Sequence, residues 1–300
     1  MIRNHIKKGK KNRTYDIVNY LILGLVGLIV IYPLYFVLIA SISEPDAVNR
    51  GLVIWRPIGF SLDGYKKIFE DARIWVGYRN TLFYTVCGTA LNVVLTLITA
   101  YPLSRIDLAG RKGLIGYFLF TMFFSGGLIP TYLLVSGLGL YNTPFVLIIL
   151  GGINIFNLII AKSFFENSIP ADLREAAEID GCGTFRFFIE IVLPLSKALL
   201  GVLVVYYGIG HWNQYFDALI YLSKDSLYPL QMVLREILIQ NSNVQSFTDE
   251  SMLAEMLLQE RYAGLIKYGV IIVASVPMLI IYPFVQKYFA KGVMLGSVKG

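Results

Sequence analysis

The chain has 300 residues, of which 56% are hydrophobic and 15% charged, with 26 Lys and Arg against 20 Asp and Glu for a net charge of +6. Soluble domains carry about 25% charged residues, so this composition and a mean hydropathy of +0.63 point to a membrane protein. Two cysteines and two histidines exclude a disulfide framework and offer no metal-ligand spacing, so no metal or other cofactor is expected.

A membrane-crossing helix needs about 20 mostly apolar residues, because the hydrocarbon core is about 30 Å thick and a helix rises about 1.5 Å per residue. Residues 1–16 form a basic N-terminal segment with Arg3, Lys7, Lys8, Lys10, Lys11 and Arg13. The first span is expected over Leu21–Ala40. A signal peptide would also follow basic residues, but its apolar core is usually about 7 to 15 residues, shorter than this run. The second span is expected over Thr81–Pro102. Gly113–Ala161 holds no charged residue and suits two spans joined near "GLGLYNT". A fifth is expected over Ala198–Leu222 and a sixth from about Gly269 to Gln286. The fold class read from this pattern is all-α and polytopic, with six transmembrane helices over residues 17–289 and a tail at 290–300.

Lys and Arg accumulate in short cytoplasmic loops. Besides the N-terminal segment they occupy the turn after span two (Arg105, Arg111, Lys112), the stretch between spans four and five (Lys162, Arg174, Arg186, Lys197) and the tail (Lys287, Lys291, Lys299). The opposite loops are poorer: from Ser223 to Tyr262 three basic residues face six acidic ones. Both termini are therefore expected in the cytoplasm of a multi-pass protein of the cell membrane. The bilayer explains the positive charge, and no nucleic-acid partner is expected.

The segment 168–195 is charged and cytoplasmic by this topology. Ser168 and Pro170 suit a helix start, "LREAAEID" continues with strong helix formers, Gly181 is a stop and Thr184 a new cap. Phe185, Phe188, Ile189 and Val192 recur at helical spacing on one side, with Arg186 and Glu190 on the other. Pro194 interrupts backbone hydrogen bonding just before span five. By pattern alone this is an amphipathic helix-turn-helix connector. A DNA-reading function is disfavoured, because spans pin both ends and the basic residues do not line one helix.

"EAAEIDGCGTFRFFIEIVLPL" resembles the EAA loop of ATP-binding-cassette importer permeases: EAA, a DG beginning three residues on, and a hydrophobic helix ending in LPL. Cys182 stands where the family usually has alanine. "NTLFYTVCGTALNVVLTLITAYPLSR", "WNQYFDALIYL" and "KGVMLGSVKG" are similar to segments of the MalG-like permeases of carbohydrate importers, and the resemblance covers nearly all of the chain after its basic start. It implies a type I importer permease fold whose EAA loop docks into a cleft of a cytoplasmic ATPase. Glu175 would pair with a basic group there, Ala176 and Ala177 would permit close approach, and Asp180 and Gly181 would complete the motif, Gly181 making the turn. It also implies a heteromeric complex with a second, homologous permease subunit, an ATPase dimer, an external solute-binding protein and a carbohydrate, an oligosaccharide by the finer match. No G-x-x-x-x-G-K-[ST] loop occurs in the chain, so ATP would be bound by the partner ATPase and not here.

In span five, "GIGHWNQYFDALIYL" places His211, Trp212, Asn213, Gln214, Tyr215 and Asp217 where lipid-facing residues would otherwise stand. Such residues usually face a bundle interior and mark a pathway. An aromatic ring and an amide suit a sugar, so Trp212, Asn213, Tyr215 and Asp217 are read as the substrate pathway, with an interfacial aromatic belt as the alternative for Trp212 and Tyr215. Asn92, Asn154 and Asn157 read as glue between helices.

Two other function classes compete: an importer permease for a non-sugar solute, and an intramembrane enzyme using His211 and Asp217. On a continuous helix those two residues lie about 600° apart, on different faces, and no other span supplies a nucleophile, so no catalytic residue is assigned. An ion-coupled carrier would need intramembrane charges on several helices. Finally, the external loop 223–262 is long enough to need a role. Leu230, Val233, Leu234 and Ile237 in "PLQMVLREILIQ" suggest a short amphipathic helix on the outer surface. In similar permeases this loop probes the docked binding protein, which places Asn241, Asn243 and Gln245 in that contact.

Overall fold

The computed structural model describes residues 13–242 and 261–283. Among the described residues the structure is helical apart from one isolated bridge between Ser43 and Phe60. They fall into two compact units, one from the beginning of the chain to Ile68 together with Gln240–Val273, and one of Phe69–Ile239 together with the chain from Ala274 onwards.

The first unit contains α1 (Arg13–Ser41), α2 (Pro45–Asn49) and most of α3 (Asp63–Glu70). It also takes the first half of the last described helix, Arg261–Pro283. Most side chains of α1 are exposed, as suits a helix facing lipid, and Ile39, Ala40 and Ser41 at its end are buried. After α1 the chain is fixed by Ser43, whose hydroxyl donates to Ile39 O at 2.6 Å and accepts from Ile58 N at 3.3 Å. Arg261 donates to both carboxylate oxygens of Asp46, at 3.2 and 2.9 Å.

The second unit is built on α4 (Ala72–Ser104), a helix of 33 residues. Sequence hydropathy ends its apolar stretch at Thr81, but the helix starts nine residues earlier because Asp71 caps it, accepting from Arg73 N at 2.9 Å. Against α4 pack α8 (Ile155–Ser168) and α11 (Lys197–Trp212). In lipid this packing is driven by close fit, not by water exclusion. Small residues supply the fit: Ala100 and Ala161 are 0% exposed.

Against the six transmembrane helices expected from the sequence, the described residues give three, or up to five, and several are bent or divided. Three described helices are long and apolar enough to cross a membrane: Tyr15–Ser41, Ala72–Ser104 and Arg261–Pro283. Two bent pairs raise the count to as many as five if each pair is a single span. In the first pair, α5 (Arg111–Phe123) turns by 111° into α6 (Leu128–Gly137). Gly127 makes that turn with φ of 88°, a conformation glycine reaches without strain. The expected fourth span is divided into α7 (Phe145–Ile149) and α8 by a non-helical stretch at Leu150–Asn154. The fifth ends at Trp212 and resumes as α12 (Phe216–Tyr221).

Between α8 and α11 lie α9 (Ala171–Ile179) and α10 (Thr184–Leu195), and α10 meets α11 at an 81° bend. Gly181 stops α9 with φ of 77°, and Cys182 N returns to Ala177 O at 2.8 Å. The start of α10 is capped by Gly183, one residue before the expected Thr184. A π turn at Phe188–Val192 follows from Pro194, which has no N–H to offer the carbonyl of Glu190. The buried face is consequently Phe187, Phe188 and Val192, at 2%, 8% and 0% exposure, while Phe185 and Ile189 point outward at 75% and 45%. The expected face was thus half right.

The amphipathic helix of the long loop forms as α13 (Leu230–Ser242). Its expected apolar residues Leu230, Val233, Leu234 and Ile237 are buried, joined by Met232. It docks on the start of α4, where Thr81 Oγ1 accepts from Leu230 N at 2.8 Å and Gly77 leaves room for the backbone of Leu230. Asn80 Nδ2 donates to Ser226 O and Tyr228 O, so the preceding turn is tied to α4 as well.

Candidate functional site

Two groups of side chains carry the functional reading, one at the α9–α10 hairpin and one at the break after α11. On α9, Glu175 and Ala176 are exposed and Ala177 is buried at 8%. Asp180, also exposed, occupies the C-cap, followed by Gly181. The hairpin therefore turns the Glu175 carboxylate outward while Ala177 fastens it to the core with Phe187, Tyr101 and Leu173.

Charged groups surround this hairpin. The Asp107 carboxylate, in the turn between α4 and α5, accepts from Arg105 Nε at 3.1 Å and Arg105 Nη2 at 2.6 Å. It also accepts from Arg174 Nη1 on α9, at 3.2 Å to each oxygen. The hydrogen-bonded Arg105 guanidinium holds the Asp107 carboxyl well below the usual carboxylate range. A second link joins α5 to α8: Arg111 pairs with Glu166, which also accepts from Lys162 Nζ at 2.8 Å, and Arg111 Nε donates to Leu103 O at 2.8 Å. Between these links is a cavity of about 500 Å³ lined by Tyr101, Phe165, Phe187 and the guanidiniums of Arg105, Arg111 and Arg174.

At the second group the helix break changes the expected geometry. Trp212 is the last residue of α11, 2% exposed, and its Nε1 donates to Ala274 O at 3.2 Å beside the Tyr78 ring. Its indole is thus part of the packing in this chain. Asn213 is exposed and caps α11 by donating to Ile209 O at 2.9 Å. Tyr215 is 45% exposed. Asp217 is half-buried and accepts from Gln214 Nε2 at 2.9 Å.

His211 and Asp217, read as lying on different faces of one helix, are brought into one polar chain because the helix stops between them. Asn92 Nδ2 donates to Gly151 O at 3.0 Å and Gly152 O at 2.9 Å, which turns Asn92 Oδ1 toward His211 Nε2 at 2.8 Å. The other ring nitrogen, Nδ1, lies 3.2 Å from Gln214 Oε1. Gly88 makes room for the imidazole, for a β-carbon there would overlap it. Asn92 so takes the bridging role expected of it. Asn154 instead caps α8 locally, its Oδ1 accepting from Asn157 N at 3.1 Å. Sequence reasoning missed the part played by Tyr207, whose hydroxyl meets Thr96 Oγ1 at 2.6 Å and accepts from Asn154 N at 3.1 Å.

Of the residues read as binding-protein contacts, Asn243 and Gln245 lie outside the described residues, and Asn241 falls in the last turn of α13. Among the described residues no group of three or more His, Cys, Asp or Glu could hold a metal ion.

Residues 93–295 match the family model of the binding-protein-dependent transport system inner membrane component. The chain is 42% identical over 290 residues to the polygalacturonan/rhamnogalacturonan transport system permease protein YtcP of Bacillus subtilis, covering 97% of this chain and 100% of that protein. It is 41% identical to the protein LplC of the same organism, over 97% of each chain. Among solved structures, it resembles a chain in the crystal structure of a bacterial ABC transporter involved in the import of the acidic polysaccharide alginate. The TM-score is 0.83 at 31% identity, with 93% of this chain and 98% of that one covered.

Proposed function

The chain belongs to the inner-membrane components of binding-protein-dependent transport systems, and from that premise we propose that it carries an oligosaccharide of an acidic glycan across the cell membrane. Its fold is the all-α polytopic permease fold of type I ABC importers, and the chain is a transport component, not an enzyme. The observation that carries the carbohydrate reading is the end-to-end similarity to YtcP, named for polygalacturonan and rhamnogalacturonan transport. The likeness to a chain of the alginate importer supports it from the structural side.

In this reading residues 17–289 form the permease domain, with six crossings in which the bent and divided helices count as spans and both termini are cytoplasmic. The α9–α10 hairpin docks into a cytoplasmic ATPase dimer, with Glu175 outward to meet a basic group. A second permease subunit completes the pathway, to which Asn213, Tyr215 and Asp217 contribute while Trp212 packs behind them, and an external binding protein delivers the sugar to the segment 223–262. The outward Glu175 and the exposed Asn213 and Tyr215 support these assignments. The test is uptake by proteoliposomes holding the whole complex and its binding protein. ATP-dependent uptake of oligogalacturonides, with none of an amino acid, is expected. Uptake of the amino acid and of no sugar would replace this reading with the non-sugar one.

A further inference from the structure

We propose that Asp107 is a positioning residue for energy coupling: its carboxylate is a clasp that ties α9 to the end of α4 across an open cavity. The proposal rests on the reading of α9–α10 as the ATPase-docking hairpin and assigns the route by which movement of that hairpin reaches the spans.

The two sides of α9 are attached differently. On one side Ala177 and Leu173 join a packed apolar core with Phe187 and Tyr101. On the other side a cavity of about 500 Å³ lies against Arg174, Tyr101, Phe165 and Phe187, and across it the attachment is ionic. Arg174 Nη1 reaches both oxygens of Asp107 at 3.2 Å, and the same carboxylate is gripped by Arg105, the residue that follows the last turn of α4. Asp107 therefore stands between a guanidinium fixed to a span and a guanidinium carried by the coupling helix. Arg174 is also the neighbour of Glu175, so a pull on Glu175 is delivered one residue from the clasp.

The neighbouring link has a different reach. Arg111 and Glu166 join α5 to α8, and neither belongs to α9, so that pair steadies the spans against each other. The Asp107 side chain is 52% exposed and that of Arg174 27%. Pairs this exposed contribute little to stability, and they break and re-form without disturbing a packed core. Packed cores resist continuous deformation. A partly exposed ionic clasp beside this cavity thus lets α9 tilt during a cycle while remaining attached to α4.

The test uses the assembled complex with its ATPase, second permease and binding protein in proteoliposomes, measuring sugar transported per ATP hydrolysed. Asp107→Asn keeps the shape and removes the charge. We expect normal subunit composition and a transport-to-hydrolysis ratio lowered about fivefold or more, the lower end of typical coupling between sites. Asp107→Glu, which keeps a carboxylate for Arg105 and Arg174, is expected to retain most of the ratio, whereas Arg174→Ala is expected to lower it as Asp107→Asn does. A residue that only supports folding would change complex yield and leave the ratio intact. Glu175→Ala is the control for the underlying reading, and it should release the ATPase. If Glu175→Ala releases the ATPase while Asp107→Asn has the normal ratio, the clasp is refuted and the docking hairpin stands. If both variants keep the ATPase and the normal ratio, the docking reading itself fails. Loss of the ATPase from Asp107→Asn would also overturn the clasp, because Asp107 would then shape the docking surface.

Discussion

Gly88→Ala is expected to be among the most disruptive single-methyl additions in the second unit. The new β-carbon would overlap Cε1 and Nε2 of His211 and lie 2.9 Å from Cδ2, and the ring is confined between Asn92 Oδ1, 2.8 Å from Nε2, and Gln214 Oε1, 3.2 Å from Nδ1. Overpacking of this kind costs about 1 to 3 kcal/mol, and losing the Asn92 contact costs about 0.6 kcal/mol at the average for membrane interiors. Alanine's better helix propensity returns up to about 1 kcal/mol. With the full helix-propensity return, the net expectation is destabilisation by about 0.6 to 2.6 kcal/mol. The measurement is equilibrium unfolding in mixed micelles, followed by the fluorescence of Trp212 and the other tryptophans. In a His211→Ala background the clash is gone, and Gly88→Ala should become neutral or stabilising, so the two changes are strongly non-additive. An equal cost in both backgrounds, or no cost in the parent, would refute the close approach of α4 to α11.

Three further outcomes follow from the described geometry. Trp212→Ala should cost about 3 to 5 kcal/mol of stability, as for other large buried aromatics, whereas Tyr215→Ala should leave unfolding unchanged and lower sugar uptake per complex. Thermal denaturation and uptake, measured on both variants, separate packing from pathway. The Asp71 carboxyl is held below its ordinary range by its hydrogen-bonded partner Arg73, with burial opposing. Its folded value is below its unfolded one, so its contribution is present above about pH 4 and is lost as pH falls through the lowered value. Asp71→Asn should therefore show a constant stability deficit from pH 8 to about 5 that shrinks in stronger acid, measured by denaturation at each pH. Deleting residues 241–250 should reduce ATPase stimulation by the binding protein while basal hydrolysis stays unchanged, and unaltered stimulation would leave the loop a simple tether.

Much of this architecture could be read from hydropathy, yet the errors share a cause. Hydropathy averages over a window and is blind to backbone breaks. "SGG" at Ser125–Gly127 and "GG" at Gly151–Gly152 were visible breakers inside uncharged runs, and the helix is interrupted at both. The break after Trp212 has no glycine or proline, and only a cluster of polar side chains marks it. Pro194 was recognised as an interruption, but its effect on the turns before it, exchanging Phe185 for Phe187 on the buried face, depends on the π turn. The hairpin of Glu175 and Gly181 was legible because its motif is local. Asp107 was not, since it lies 67 residues from Arg174 and only the folding of α9 against the α4–α5 turn brings them together.

The breaks also explain where the polar side chains of the spans are used. Non-helical backbone at membrane depth must find partners, because lipid offers none. Asn92 satisfies the carbonyls of Gly151 and Gly152. Asn142, itself in a left-handed turn with φ of 57°, accepts from the amides of Ser223 and Lys224. Tyr207 hydroxyl accepts from the amide of Asn154, and Asn213 caps the end of α11. Once these obligations are met, Asn92 is occupied by the two carbonyls and by His211, and both residues are buried, at 1% and 8% exposure. In the proposed pathway a sugar would need donors and acceptors that it can reach, and the exposed side chains beyond the break are Asn213 and Tyr215. The same interruption that shortens the fifth span is therefore what turns polar groups outward at its end, and a continuous helix through Leu222 would have left them against lipid or neighbouring helices.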